Sequence, residues 1–334
     1  MKKRLLSMLL VVVMLMGMLP AGILTASAET AVASGYCGGE GDGTNLTWTL
    51  TEDGTLTIFG TGAMKSYSSA SNVPWYSRRA SIKTAVIGDG VTFTSNYIFY
   101  GYSNLIAVTI GKSVTNIGDY AFINCKSLTS VTIPDSVTTI GNYAFYQCQS
   151  LTSAIIGNGV RRIGHAAFVD CDSLTTVKLG NSVTNIENSA FFDCDGLIVV
   201  EIPNSVKTIG VSAFAWCNNL TAVAIPNSVV TIDAQAFQSC SSMTRVEIGS
   251  AVSTIGDRAF NDCDSLVAIE VSGDNTSYAS EDGVLFNKEK TEIIQCPEGN
   301  SRTSYVIPDT VTTICSDAFY CNEKLTSVKM NDSV

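Results

Sequence analysis

One histidine serves the whole chain of 334 residues, and that scarcity removes most nucleophilic chemistry from consideration. A Ser-His-Asp arrangement would have to use His165, which sits in an IGHAAF segment where sister segments carry Asp, Asn, Val or Ala. No Cys-x-x-Cys occurs, which leaves a thiolate zinc site without its usual spacing. No glycine-rich loop has the spacing of a phosphate cradle, so nothing marks a nucleotide or cofactor site. Basic residues are few, 20 against 30 acidic, for a net charge of −10, and a nucleic-acid partner is excluded on charge. Proline is scarce at seven, and charged residues make up 15% against 46% hydrophobic, which excludes disorder. After the first two dozen residues no apolar run is long enough to span a bilayer.

What is present begins with an address. Lys2, Lys3 and Arg4 precede an apolar run from Leu5 to about Leu24, and Ala26, Ser27 and Ala28 supply a small-residue cleavage pattern. Residues 1–28 are therefore expected to be a secretory signal peptide, with no membrane association beyond export. Its removal takes three positive charges and no negative one, moving 20 against 30 to 17 against 30, or −13. Eleven cysteines in an exported chain would ordinarily suggest a disulfide framework.

The cysteine spacing says otherwise. Cys125, Cys148, Cys171, Cys194, Cys217, Cys240 and Cys263 recur every 23 residues, and the text around them recurs as well. SVTNIGDYAFINCKSLTSVTIPD from Ser113 is followed by SVTTIGNYAFYQCQSLTSAIIGN from Ser136, and five further copies run without a gap to Gly273. A degenerate copy spans Gly90 to Lys112, and a late one starts at Thr310. A period held this long signals a solenoid, because one unit cannot offset its ordering entropy of roughly 1.5 kcal/mol per residue without neighbours.

Within a unit, Leu128, Val131 and Ile133 alternate with Thr129, Ser130 and Thr132, which predicts a short strand ended by Pro134. Ile117, Ala121, Phe122 and Cys125 recur at spacings of three and four, which predicts one or two helical turns. The expected fold is an α/β repeat solenoid, with a continuous parallel sheet of nine strands on the order of 40 Å long on one face and short helical turns on the other. The repeated cysteine falls between the core Phe and Leu and should point inward as a free thiol. Cys296, Cys315 and Cys321 could pair locally, and Cys37 has no evident partner.

These units resemble leucine-rich repeats of the BspA-like surface-protein type, which carries I-G-x-x-A-F-x-x-C-x-S-L-T-x-V-x-I-P. The resemblance covers roughly Gly90 to the C-terminus. It implies an exported or surface-attached bacterial protein that adheres to a host or neighbouring-cell surface protein or glycoprotein. It names no ligand, cofactor or metal.

The rest divides by departure from the period. Residues 29–89 are expected to cap the array through a hairpin, Leu46 to Leu50 turning at Glu52, Asp53 and Gly54 into LTIFG. The repeats fill 90–275. Residues 276–309 read as a hairpin insertion, and 310–334 as a final repeat, either truncated or covered by a neighbouring chain. Candidate contact positions are the outward strand residues, foremost Thr132, Ile155, Lys178, Glu201, Arg245, Glu247 and Glu270. Trp75, Tyr146 and Trp216 are the aromatics a sugar-binding module would use, although no aligned aromatic platform is evident and Trp75 is better placed to pack a cap. Asp170 with Asp172, Asp193 with Asp195, and Asp262 with Asp264 leave calcium or ordinary turn chemistry open, with the turn the simpler reading.

Overall fold

The computed structural model describes residues 30–334; the expected signal peptide lies outside the described residues. From Ala31 onward the chain forms one compact unit built as a stack of rungs. Each repeat contributes a strand such as Ser130–Ile133, and the next repeat lays Ser153–Ile156 parallel to it with Ser153 opposite Ser130 and Ile156 opposite Ile133. A shift of 23 residues in sequence is thus one step along the stack.

The core follows the alternation. Val131, Ile133, Leu128 and their repeats are buried. Phe99, Phe122, Phe145, Phe168, Phe191, Phe214, Phe237 and Phe260 form one column, fully buried. Successive ring centroids lie 5.0 to 5.7 Å apart. That spacing is the strand separation of a sheet, so flat rings can be repeated at rung intervals without a void. The seven periodic cysteines are buried beside the column. Each donates its thiol to a phenylalanine carbonyl of the preceding repeat, as Cys194 Sγ does to Phe168 O at 3.0 Å. Burial pushes the Cys125 and Cys171 thiols up from their ordinary range, and all eleven cysteines are free. Cys296, Cys315 and Cys321 do not pair.

The helical turns predicted for the other face are not there. The described residues hold only two short 3-10 segments, Ala70–Asn72 and Tyr76–Arg78, both before the array. A two-residue strand, Asn116–Ile117, begins the return path in each repeat, and seven of these form their own parallel ladder ending at Thr254–Ile255. After it come turns that place two residues per repeat in the left-handed region, as at Tyr120 (φ 57°) and Asn124 (φ 59°). The donors of these turns reach the next rung: Tyr120 N–H bonds Asn142 O at 2.9 Å, Phe122 N–H bonds Ala144 O at 2.7 Å, and Asn124 N–H bonds Tyr146 O at 2.8 Å. A helix would spend these groups inside its own segment. Spacings of three and four in the sequence therefore record a two-step turn, which also returns apolar side chains to one side.

The strand face is shorter in its pieces than the expected nine-strand sheet. It divides into a four-stranded sheet from Ser130–Ile133 to Val199–Glu201 and a three-stranded one from Ala222–Ile225 to Ala268–Val271. At the N-terminal end the expected hairpin is present as Leu46–Thr51 and Thr55–Gly60. A strand the sequence reading passed over, Ala31–Tyr36, pairs antiparallel outside it. On the hairpin's other side the parallel ladder runs through Thr84–Ile87 to Ala107–Ile110, crossing residue 89 without a break. The excursion over 276–309 forms three antiparallel strands, Tyr278–Glu281, Val284–Asn287 and Glu292–Gln295, the last of which pairs parallel with Thr313–Ile314.

Candidate functional site

Inward and outward positions alternate along each repeat strand, so fixing Val131 and Ile133 in the core forces Ser130 and Thr132 outward. All seven candidate contact residues are exposed: Thr132, Ile155, Lys178, Glu201, Arg245, Glu247 and Glu270. Register sorts them into rows. Thr132, Ile155, Lys178 and Glu201 stand opposite one another in succession. Beyond the sheet break, Ala224, Glu247 and Glu270 form a matching row, while Arg245 belongs to the parallel row with Ala222 and Ala268. Arg245 nevertheless joins the acids, bonding Glu247 Oε1 at 3.1 Å and also Glu270 Oε2.

The face is dished. A depression of about 970 Å³ is lined by Ser153, Ile155, Thr176, Lys178, Val199 and Glu201 among others. A smaller one of about 390 Å³ lies over the break, where Ala222 and Ala224 separate Val199 and Glu201 from Arg245 and Glu247. Ile155 is 47% exposed and Val199 52%, on strands whose inward residues are almost fully covered. These are large apolar side chains held rigidly in the open, ringed by a lysine, an arginine and several acids.

Elsewhere the candidates take structural parts. Trp75 is fully buried, donates Nε1 to Ile98 O at 3.1 Å and meets Trp48 edge-on at 5.8 Å. Trp216 is half-exposed on the turn face with φ 63°. His165 is half-buried on the turn face. Its Nδ1 donates to Asn188 O at 2.9 Å, and Nε2 lies 3.0 Å from the Tyr143 hydroxyl, so the ring ties its own turn to those of both neighbouring rungs. The turn face also carries an aligned aromatic column that the sequence reading denied: Tyr97, Tyr120 and Tyr143 stack with centroids 5.0 and 5.1 Å apart. Stacking covers both faces of Tyr120 and one face each of Tyr97 and Tyr143. The signal was the tyrosine recurring one residue before Ala121 and Ala144 at the period of 23, hidden because it covers only three copies.

The acidic pairs are answered by the neighbouring rung. Gln147 Nε2 bonds Asp170 at 3.0 Å, Asn218 Nδ2 bonds Asp195 at 2.7 Å, and Gln238 Nε2 bonds Asp262 at 2.8 Å. Partial burial and then the neighbouring aspartates raise the Asp172 and Asp193 carboxyls above the usual range, the mark of acids crowding one another. No group of three His, Cys, Asp or Glu positioned to hold a metal ion occurs among the described residues.

Comparison with known proteins agrees with this geometry. The family described as "BspA type Leucine rich repeat region (6 copies)" matches residues 74–198, 193–301 and 298–334. A leucine-rich repeat protein of Bacteroides ovatus, 22% identical, aligns over 87% of this chain and 76% of its own with a TM-score of 0.58, and shares the fold. A leucine-rich cell surface protein of Faecalibacterium prausnitzii is 26% identical over 88% of this chain and 95% of its own, with a TM-score of 0.46. A leucine-rich repeat protein of Eubacterium ventriosum is 24% identical over 89% of this chain, which spans 62% of that protein, with a TM-score of 0.38. No curated protein matches the chain.

Proposed function

The chain belongs to the BspA-type leucine-rich repeat family, and from that premise we propose that it is an exported or surface-held binding protein whose strand face adheres to a surface protein or glycoprotein of a host or neighbouring cell. Binding, not catalysis, is its activity in this reading. The observation that carries it is the pair of exposed apolar residues on one sheet face, Ile155 and Val199, which stand in neighbouring rows two strands apart, with Lys178, Glu201, Arg245 and Glu247 on the same face. Protein interfaces place apolar anchors at the centre and polar groups around them, and the anchors supply most of the affinity. Rigid strands add to this, since little side-chain or backbone freedom is lost on docking.

An array of purified matrix proteins and cell-surface glycoproteins, each with and without its glycans, tests the reading. A saturable protein partner is expected. Replacing Ile155 and Val199 together by Ala should weaken it at least tenfold, about 1.4 kcal/mol, without altering the thermal melt. Binding that survives the double substitution would move the contact away from this face.

A further inference from the structure

The ladder of two-residue strands running from Asn116–Ile117 stops at Thr254–Ile255, and the next strand of this kind, Thr313–Ile314, pairs with Glu292–Gln295 of the excursion instead. The interruption opens the core. In the six preceding rungs the equivalent isoleucines, from Ile117 to Ile232, are at most 1% exposed, whereas Ile255 is only partly covered. In place of a continuing rung there is a cleft of about 860 Å³ between this last rung, the excursion and Cys315–Asp317. That volume lies within the range of small-molecule sites.

Its walls are chemically mixed. Ile255 and Ile294 supply apolar floor, and the Tyr278 hydroxyl accepts the Ile255 N–H at 2.9 Å. Asp257 and Glu292 line the cleft, are exposed, and form no ion pair among the described residues. Arg258 spans from the last rung to Asp317, Nε to Oδ2 at 2.7 Å. Asn261 lines the cleft too; it is 4% exposed, and its Nδ2 has no hydrogen-bond partner.

These groups select a ligand by elimination. Carboxylates only accept hydrogen bonds, while the Asn261 amide nitrogen and the Arg258 guanidinium only donate. An ammonium ligand donates alone and would leave Asn261 unanswered. A phosphate or carboxylate ligand accepts alone and would face Asp257, Glu292 and Asp317. Hydroxyl groups do both, and a sugar ring adds a C–H face suited to the isoleucine floor. We propose that this cleft, a site separate from the strand face, binds a neutral saccharide.

Titration calorimetry on the whole chain tests this with neutral cello-, manno-, xylo-, malto- and chito-oligosaccharides, with spermidine and an oligogalacturonate as charged probes. At least one neutral oligosaccharide is expected to saturate one site. Asp257→Ala and Glu292→Ala, both at exposed positions, should each weaken it about tenfold with an unchanged melting curve. The Ile155 and Val199 double substitution should leave it untouched. Three results would overturn the proposal: no saturation by any neutral member, undiminished binding in both cleft variants, or binding of a charged probe alone.

Discussion

Trp216 occupies a left-handed backbone position, φ 63°, where the corresponding residues of other repeats are Asn124, Gln147, Asp170, Asp193, Ser239 and Asp262. Most of those are short and polar. A left-handed residue with a side chain costs roughly 1–2 kcal/mol, least for Asn and Asp, whose side chains bond locally. Trp216 is half-exposed, so it recovers only part of that cost by burial. Trp216→Asn is therefore expected to raise stability by about 1 kcal/mol, read as a higher urea midpoint at unchanged slope. An equal or lower midpoint would show that the indole makes compensating contacts. Inward residues were legible in the sequence, because Phe168, Cys171, Leu174 and Val177 must repeat if the core is to repeat. The left-handed positions were not, since Tyr, Ala, Ser and Gln all fill one of the two turn columns and no residue type announces it.

Among the elements, the excursion is the one that breaks the period, and it is locked to the array by buried polar contacts. Glu298 Oε1 accepts the Asp262 N–H at 2.8 Å, and Gln295 Nε2 donates to Phe260 O at 3.0 Å. Burial, with the charges of Asp262 and Asp264 adding to it, pushes the Glu298 carboxyl from 4.5 up to about 7. An acid whose folded value is raised binds its proton more tightly in the native state. Its contribution is therefore complete below about pH 4.5 and is lost as pH rises towards about 7. Glu298→Gln keeps the accepting oxygen and removes the charge. The variant should melt higher than the parent at pH 8 and no higher at pH 4.5; parallel melting curves across that range would refute this role for Glu298. The excursion's two inner strands could be read from VLF and TEIIQ flanking NKEK. Its third strand, Tyr278–Glu281, and the cleft beside it could not, because both depend on where the excursion meets the last regular rung. The expected helical turns failed for a related reason: spacing alone does not distinguish bonds within a segment from bonds to the next rung.

For the molecule from Ala31 onward, the constant interval of 23 carried the architecture, since equal spacing is what stacking requires. The outward rows followed from it by alternation, and all seven of their foremost members are exposed. The breaks that divide the strand face, and the depression over one of them, have no counterpart in the repeat text. Underneath everything lies the claim that the repeats are interchangeable layers on one shared column of Phe, Cys, Leu and Val. Excising residues 136–204, three whole periods, joins Asp135 to Ser205 in register and tests it directly. Solution scattering should show a folded particle shorter by about 15 Å, three strand spacings, and unfolding should remain cooperative. If this in-register excision collapses or aggregates as an excision of one and a half periods does, the layers are not equivalent and the account is wrong.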